Sequence, residues 1–414
     1  CFVIVDEADS VLVDEARTPL IISNVGDSSQ EEQIYAEAVA IARQMDTGAD
    51  FSIRPRDHDV ELTERGRRRA TELAEPYGGV WMGPRRREEL IRRALAALYL
   101  YQRDKQYLVR GGKVQIVDEY TGRVMADRSW ERGLHQMIEA KEGCAITGQQ
   151  ETLARISYQR FFRRYLRVAG MTGTVREVAG ELWSVYRLPV VTIPTNRPIQ
   201  RRGLPDEVYL TAEEKWATVV DRLRRLQNEG RAVLVGTRSV AASEHLSALL
   251  SLAGLAHQVL NARQDQEEAE VIARAGERGR ITVATNMAGR GTDIRLAPGV
   301  AELGGLHVLA TERHDSRRID RQLFGRCGRQ GDPGSFQVVM SLDDEIFHDV
   351  FKPHAGRLRR LFPRVGEPLP GWLGKLLVDL AQGIAERHHG RVRRELLSVD
   401  DQLSDLLAFT GRSE

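Results

Sequence analysis

A parallel, doubly wound α/β fold is the class this sequence predicts, and three observations carry the prediction. Short apolar runs at Ala232–Gly236, Gln258–Leu260, Ile281–Thr285, Leu306–Thr311 and Phe336–Met340 alternate with charged stretches of helical character, the pattern of βαβ units. Cys1 to Val5 is a continuous apolar run that ends in acidic residues, as expected of a buried parallel strand delivering side chains to its carboxyl edge. A glycine-rich, charged segment follows the run ending at Thr285, and ligands on such sheets sit at the carboxyl ends of strands.

The elements follow in order. After the opening strand the texture changes near Asn24 to charged helical stretches. A hairpin signal comes next, Gln106–Arg110 and Lys113–Val117 flanking Gly111-Gly112, so that residues 24 to 145 read as a separate unit. Leu153, Ile156, Phe162, Tyr165, Leu166 and Ala169 recur at helical spacing, which predicts a helix with Gly170 as its C-terminal cap. The βαβ alternation begins beyond Pro198, and Trp372 to Phe409 predicts one long helix or two. The first residue is Cys inside an apolar run, which reads as a cut edge.

Composition bounds the function without naming it. Of the 414 residues 42% are apolar and 29% charged, ordinary globular values with room for two or three cores. Sixty basic residues against 59 acidic ones leave +1, which lacks the bulk charge of a dedicated polyanion binder. No apolar stretch is long enough to span a bilayer and no signal-peptide pattern opens the chain, so it reads as cytoplasmic. Cys1, Cys144 and Cys327 form no C-x-x-C pair, so neither zinc nor a disulfide framework is expected.

Three segments could carry chemistry. Asp6-Glu7-Ala8-Asp9 follows the first strand, where a nucleotidase places one carboxylate to hold Mg²⁺ through water and a second to orient the attacking water. An acidic helix cap at Asp9-Ser10 reads from the same letters. Gly289-Arg290-Gly291-Thr292-Asp293 offers backbone approach with Arg and Asp for phosphate and ribose, or is simply a turn. In Gln322-Leu323-Phe324-Gly325-Arg326-Cys327-Gly328-Arg329-Gln330-Gly331 two arginines stand three apart on a helical stretch, which predicts both guanidinium groups on one face; a solvated Arg pair is the alternative. Their order is that of two-lobed helicase-type ATPases, whose second lobe supplies arginine fingers.

Longer stretches sharpen this. Val5 through Ser23, with Asp6-Glu7-Ala8-Asp9-Ser10 and Asp14-Glu15-Ala16-Arg17-Thr18-Pro19, resembles the Walker B segment of SecA, the preprotein translocase ATPase. Ile116 to Arg123, Gly133 to Gln136 and Glu139 to Gly143 resemble the end of that family's preprotein cross-linking domain. Gly170-Met171-Thr172-Gly173-Thr174, Ile193 to Pro198, Ala284 to Ile294 and Gln322 to Gly331 continue the likeness in family order. The resemblance implies two RecA-like lobes of helicase superfamily 2 type, the first incomplete, with an inserted α+β preprotein clamp and a C-terminal helical segment. Its domains would be 1–23 and 146–187 for the first lobe, 24–145 for the clamp, 188–345 for the second lobe and 346–414 for the start of the helical scaffold.

The same resemblance implies ATP and Mg²⁺ as cofactors. Asp6 would hold Mg²⁺ through water, Glu7 would activate the hydrolytic water, and Arg326 and Arg329 would be arginine fingers. Gly289, Arg290, Gly291, Asp293 and Gln322 would bind nucleotide, and Thr172, Gly173 and Thr174 would couple the lobes. Implied partners are unfolded preproteins and the Sec channel, with anionic phospholipids and a homodimer also in scope and nucleic acid not. The implied place is the cytoplasm, peripheral at the inner face of the bacterial membrane. No G-x-x-x-x-G-K-[ST] loop occurs here: Gly112-Lys113 and Gly374-Lys375 are followed by Val114 and Leu376. Truncation is the expected reason, and with it weak or absent hydrolysis by this chain alone. A divergent paralogue, a nucleic-acid helicase of the same superfamily and a non-catalytic scaffold are the alternatives.

Overall fold

The computed structural model describes residues 1–25, 31–54, 59–117, 124–125, 128–130, 133–148, 150–260, 268–285, 293–347 and 366–409. It divides into two compact units, Cys1–Ile21 with Arg155–Glu414, and Ile22–Ala154. The chain opens on β1 (Phe2–Asp6), passes two short wound segments at Ser10–Asp14 and Glu15–Arg17, and leaves the first unit along β2 (Pro19–Val25).

The inserted unit holds α1 (Glu31–Ala42), β3 (Phe51–Arg54), β4 (Asp59–Leu62), α2 (Glu64–Ala74), α3 (Pro84–Tyr99), β5 (Tyr107–Arg110), β6 (Lys113–Val117), β7 (Val124–Met125) and α4 (Leu134–Glu142). Its own core includes Tyr35, Phe51, Trp81, Ile91, Leu95, Met137 and Ile138. The hairpin forms as the sequence suggests: β5 and β6 pair antiparallel, and Gly111 (φ 59°) and Gly112 (φ 73°) take the left-handed backbone that a two-residue turn requires. The unit runs past the expected residue 145. Behind α4 the chain folds back, Thr147 donating from its backbone N–H to Glu139 (2.8 Å) while Gln136 donates to the Gly148 carbonyl (3.2 Å).

The helix expected over 153 to 169 does not form. Its place is taken by β8 (Gln150–Ser157), the short α5 (Tyr158–Arg163) and β9 (Arg167–Met171). Ser157 is extended (ψ 151°) and its hydroxyl caps α5 by accepting from the Arg160 N–H (3.2 Å). Gly170 caps nothing; it lies in β9 opposite Val5 of β1, where a Cβ would sit 2.5 Å from the Ala8 methyl. Parallel pairing with β1 overrides the helical period. Among the described residues β1 pairs with β9 alone. Val5 is buried with Leu12, Val13, Phe162 and Leu182, while Phe2 and Ile4 on the other face are exposed, so the strand is buried on one side only rather than on both.

After α6 (Ala179–Tyr186) comes the large sheet, built from β10 (Gln200–Gly203), β11 (Glu207–Tyr209), α7 (Ala212–Asn228), β12 (Val233–Thr237), α8 (Val240–Leu252), β13 (His257–Leu260), α9 (Glu268–Ala273), β14 (Ile281–Thr285), β15 (Leu306–Ala310), α10 (Arg317–Phe324) and β16 (Pro333–Ser341). Its order is β10-β16-β15-β12-β14-β13, every pair parallel, with β11 also on β16. The five expected strands are present within a few residues of their expected ends; β10 and β11, polar and short, were not foreseen. Strands β12, β14 and β15 are buried along their whole length, because helices cover both faces. One face packs Leu234, Val308 and Met340 with Leu377 and Ala381, the other Val235, Val283 and Leu309 with Val219 and Leu246. Thr211 and Glu214 form a reciprocal cap at the start of α7. The tail is one long helix, α11 (Gly371–Phe409).

Candidate functional site

The chain turns sharply where β1 ends. Glu7 has φ 50°, a left-handed backbone uncommon for a residue with a side chain, and the Ser10 N–H donates back to its carbonyl (2.9 Å). Asp6 stays exposed, its Oδ1 accepting from the Glu7 N–H (2.9 Å). Two residues on, Asp9 is completely buried. It does not cap the wound segment that follows; its carboxylate is the hub of a network instead.

Asp9 Oδ1 accepts from the Thr172 hydroxyl (2.6 Å). Oδ2 accepts from the Thr174 hydroxyl (2.7 Å), Arg318 Nη1 (2.7 Å) and Gln322 Nε2 (2.9 Å). Gln322 also donates to the Thr174 hydroxyl (3.2 Å), and the Thr174 N–H donates to the Thr172 oxygen (3.2 Å). The second arm of Arg318 is bound to Asp14. Burial by itself raises the Asp9 carboxyl's pKa, but the Arg318 charge and the hydrogen bonds from Thr172, Thr174 and Arg318 outweigh it and hold the group below its ordinary range. Burial lowers the pKa of Arg318 in turn, and Asp14 and Asp9 more than restore it. A buried arginine shared by two carboxylates is the arrangement that its forked donors suit.

Helix α10 presents these groups because Arg318 and Gln322 stand four apart, on one face. Its opposite side is anchored through Asp320, which accepts from the His314 N–H (3.0 Å), Arg313 Nη1 (3.1 Å) and Gln382 Nε2 of α11 (2.7 Å), with His314 Nδ1 at 2.7 Å. Gly236, at the end of β12, lets α10 approach: a Cβ there would lie 2.5 Å from Leu323 Cδ2.

Arg326 and Arg329 are not on a helix. α10 stops at Phe324, and the next residues form a tight turn with Gly328 (φ 64°), Gln330 (φ 55°) and Gly331 (φ 85°). Gly328 faces Arg201, whose Cβ would be 2.8 Å from a glycine substituent, while Arg201 donates to the Phe324 (3.2 Å) and Cys327 (3.1 Å) carbonyls and so closes the helix end. Arg329 pairs with Asp293 (3.1 Å) and donates to the Gly325 carbonyl (3.0 Å), apart from the Asp9 hub. Gly289, Arg290 and Gly291 lie outside the described residues. Gly173 sits between the two threonines with open space at its Cα. The structure thus gathers Thr172, Thr174 and Gln322, adds Asp14 and Arg318, which the sequence reading did not single out, and gives Asp9, read there within the acidic motif or as a helix cap, the central place. The signal for Arg318 was present in Arg317-Arg318-Ile319-Asp320-Arg321-Gln322, where it stands four before Gln322.

An acidic strand end tied through one buried carboxylate to a Thr-Gly-Thr segment and to an arginine helix beside a parallel sheet is the arrangement of a DEAD-like, RecA-type fold. A family model described as the SecA DEAD-like domain matches residues 1–183, and one described as the SecA P-loop domain matches 198–302 and 297–366. Similar relatives are protein translocase subunit SecA 2 of Nitrosospira multiformis (53% identical over all of this chain and 62% of that protein), SecA 2 of Bordetella avium (53%, likewise 100% and 62%) and SecA 3 of Magnetococcus marinus (51%, 100% and 63%). The chain belongs to the SecA family. It spans somewhat under two thirds of the length of these relatives.

Proposed function

We propose that this chain is the greater part of an ATP-driven motor that binds unfolded preproteins and drives them through the Sec channel. The observation that carries the motor reading is the Asp9 hub, which joins the strand end bearing Asp6 and Glu7 to α10. Names of relatives, all protein translocase subunits, favour preprotein over nucleic acid as the cargo.

Asp6 fits an Mg²⁺ role. It is an exposed carboxylate at the carboxyl end of a parallel strand, and among the described residues no cation claims it. Magnesium ATP, when bound, brings the phosphate to be transferred and neutralises its charge. Asp6 would hold the metal through water, and Glu7 would accept the proton of the attacking water. Gly289, Arg290, Gly291 and Asp293 would approach the nucleotide, with Arg326 and Arg329 acting on the phosphates once Arg329 leaves Asp293. Thr172, Gly173 and Thr174 would pass the state of the strand end to Gln322 and Arg318. The inserted unit would serve as the preprotein clamp. The motor would work in the cytoplasm at the inner face of the membrane, in contact with the channel and anionic phospholipids, as monomer or homodimer.

The reading is tested by grafting this chain in place of the matching stretch of the Nitrosospira multiformis relative and measuring ATP turnover with an unfolded preprotein. Glu7→Gln should lower turnover at least about 100-fold while nucleotide binding persists, the usual worth of a positioned proton acceptor. Unchanged turnover refutes the role of Glu7, and stimulation by RNA instead of preprotein refutes the cargo.

A further inference from the structure

Besides the buried hub, a second set of contacts grips the segment that follows Thr174. Glu177, in the short helical turn just before α6, and Glu181, in the first turn of α6, stand four residues apart, and each carboxylate is held by an arginine fork from elsewhere in the unit. Arg321 of α10 binds both oxygens of Glu177 and donates to the Thr174 carbonyl (3.2 Å). Arg393 of α11 binds both oxygens of Glu181, Nε to Oε1 and Nη2 to Oε2 each at 2.6 Å. Two turns further along α11, Asp400 accepts from the Ser157 N–H (2.7 Å), so the same helix also holds the start of α5.

Burial separates the hub from the Arg321–Glu177 pair, with Arg393 and Glu181, 7% and 22% exposed, in between. The Asp9–Arg318 side chains are 0% and 2% exposed, whereas Arg321 and Glu177 are 39% and 29% exposed. Salt between about 0.1 and 1 M shortens the screening length from about 10 Å to about 3 Å, which weakens exposed pairs and spares buried ones. We infer that Arg321 with Glu177 is a releasable latch that sets how tightly the Thr172–Thr174 segment is held, while the Asp9 hub and the more buried Arg393–Glu181 pair stay closed. Arg321 is thereby a positioning residue: it acts on Thr174 through the backbone carbonyl and through Glu177. The bidentate fork matters as well as the charge, because Lys cannot span both carboxylate oxygens with fixed geometry. The coupling meaning of the latch rests on the proposed role of Thr172–Thr174; its existence does not.

Hydrogen exchange of the whole chain tests it without requiring turnover, so a failed ATPase experiment leaves it standing. At low salt Arg321→Ala should speed exchange of the Val175–Leu182 amides about tenfold or more, with Ala8–Leu12 protection unchanged. Added salt should do the same to the unaltered chain and nothing further to the variant. Arg321→Lys should fall between. The charge swap Arg321→Glu with Glu177→Arg should restore protection that neither single change retains. Arg274→Ala, which breaks an exposed pair with Glu277, should leave Val175–Leu182 as it was. Unchanged exchange in Arg321→Ala, equal loosening of Ala8–Leu12, or a swap that restores nothing would each overturn the latch.

Discussion

Asp9 shows how much one buried charge can organise. Its two oxygens accept four hydrogen bonds, and Arg318 supplies the positive charge that makes a buried carboxylate tolerable. Asp9→Asn would leave Arg318 with Asp14 alone, and breaking a buried pair costs about 3–5 kcal/mol. Chemical denaturation at pH 7 should therefore show that loss. Because the folded-state carboxyl titrates below its ordinary 3.8, the stabilisation is fully present above that pH and disappears as pH falls through the lower folded-state value. The gap between wild type and Asp9→Asn should hold from neutral pH down to about 4 and narrow below it; a constant gap at low pH would contradict the assignment. Sequence reasoning pointed to Asp6 and Glu7 and offered Asp9 only an alternative reading as a helix cap, since nothing in four consecutive letters tells which carboxylate will meet an arginine more than three hundred positions away.

Elements were legible where one pattern had no rival. The Gly111-Gly112 hairpin and the five sheet strands declare themselves through turn chemistry and unbroken apolar runs. Residues 153 to 169 read as a helix, and the helical period lost to the pairing of β9 with β1. Gly170 records why: at that close approach only a glycine fits against Ala8. Gly170→Ala should cost about 1–3 kcal/mol by overpacking, seen as a lower melting temperature. The Thr172 and Thr174 hydroxyls, one strand-end away, should then lose hydrogen-exchange protection against Asp9. A melt unchanged from wild type would mean β9 does not lie against Ala8. Helix α10 was shortened for a related reason: the glycines that suggested an anion grip also end the helix, so Arg326 and Arg329 belong to the turn.

At the scale of the molecule, the inserted unit has a complete core of its own, from Tyr35 and Phe51 to Ile138. Residues 22–154 expressed alone should unfold in one cooperative thermal transition by circular dichroism. A featureless melt would show that they depend on the rest of the chain. What the sequence determined by itself was the fold class, the strands of the parallel sheet, the break into an inserted unit and the family, because hydrophobic period, turn residues and motif order are local properties written in consecutive letters. What the tertiary structure alone decided was which charges meet: Asp9 with Arg318 and Gln322, Glu177 with Arg321, Glu181 with Arg393, Asp293 with Arg329. Those pairings follow from how β1, β9, α10 and α11 pack, and packing joins residues by distance in space rather than by separation along the chain.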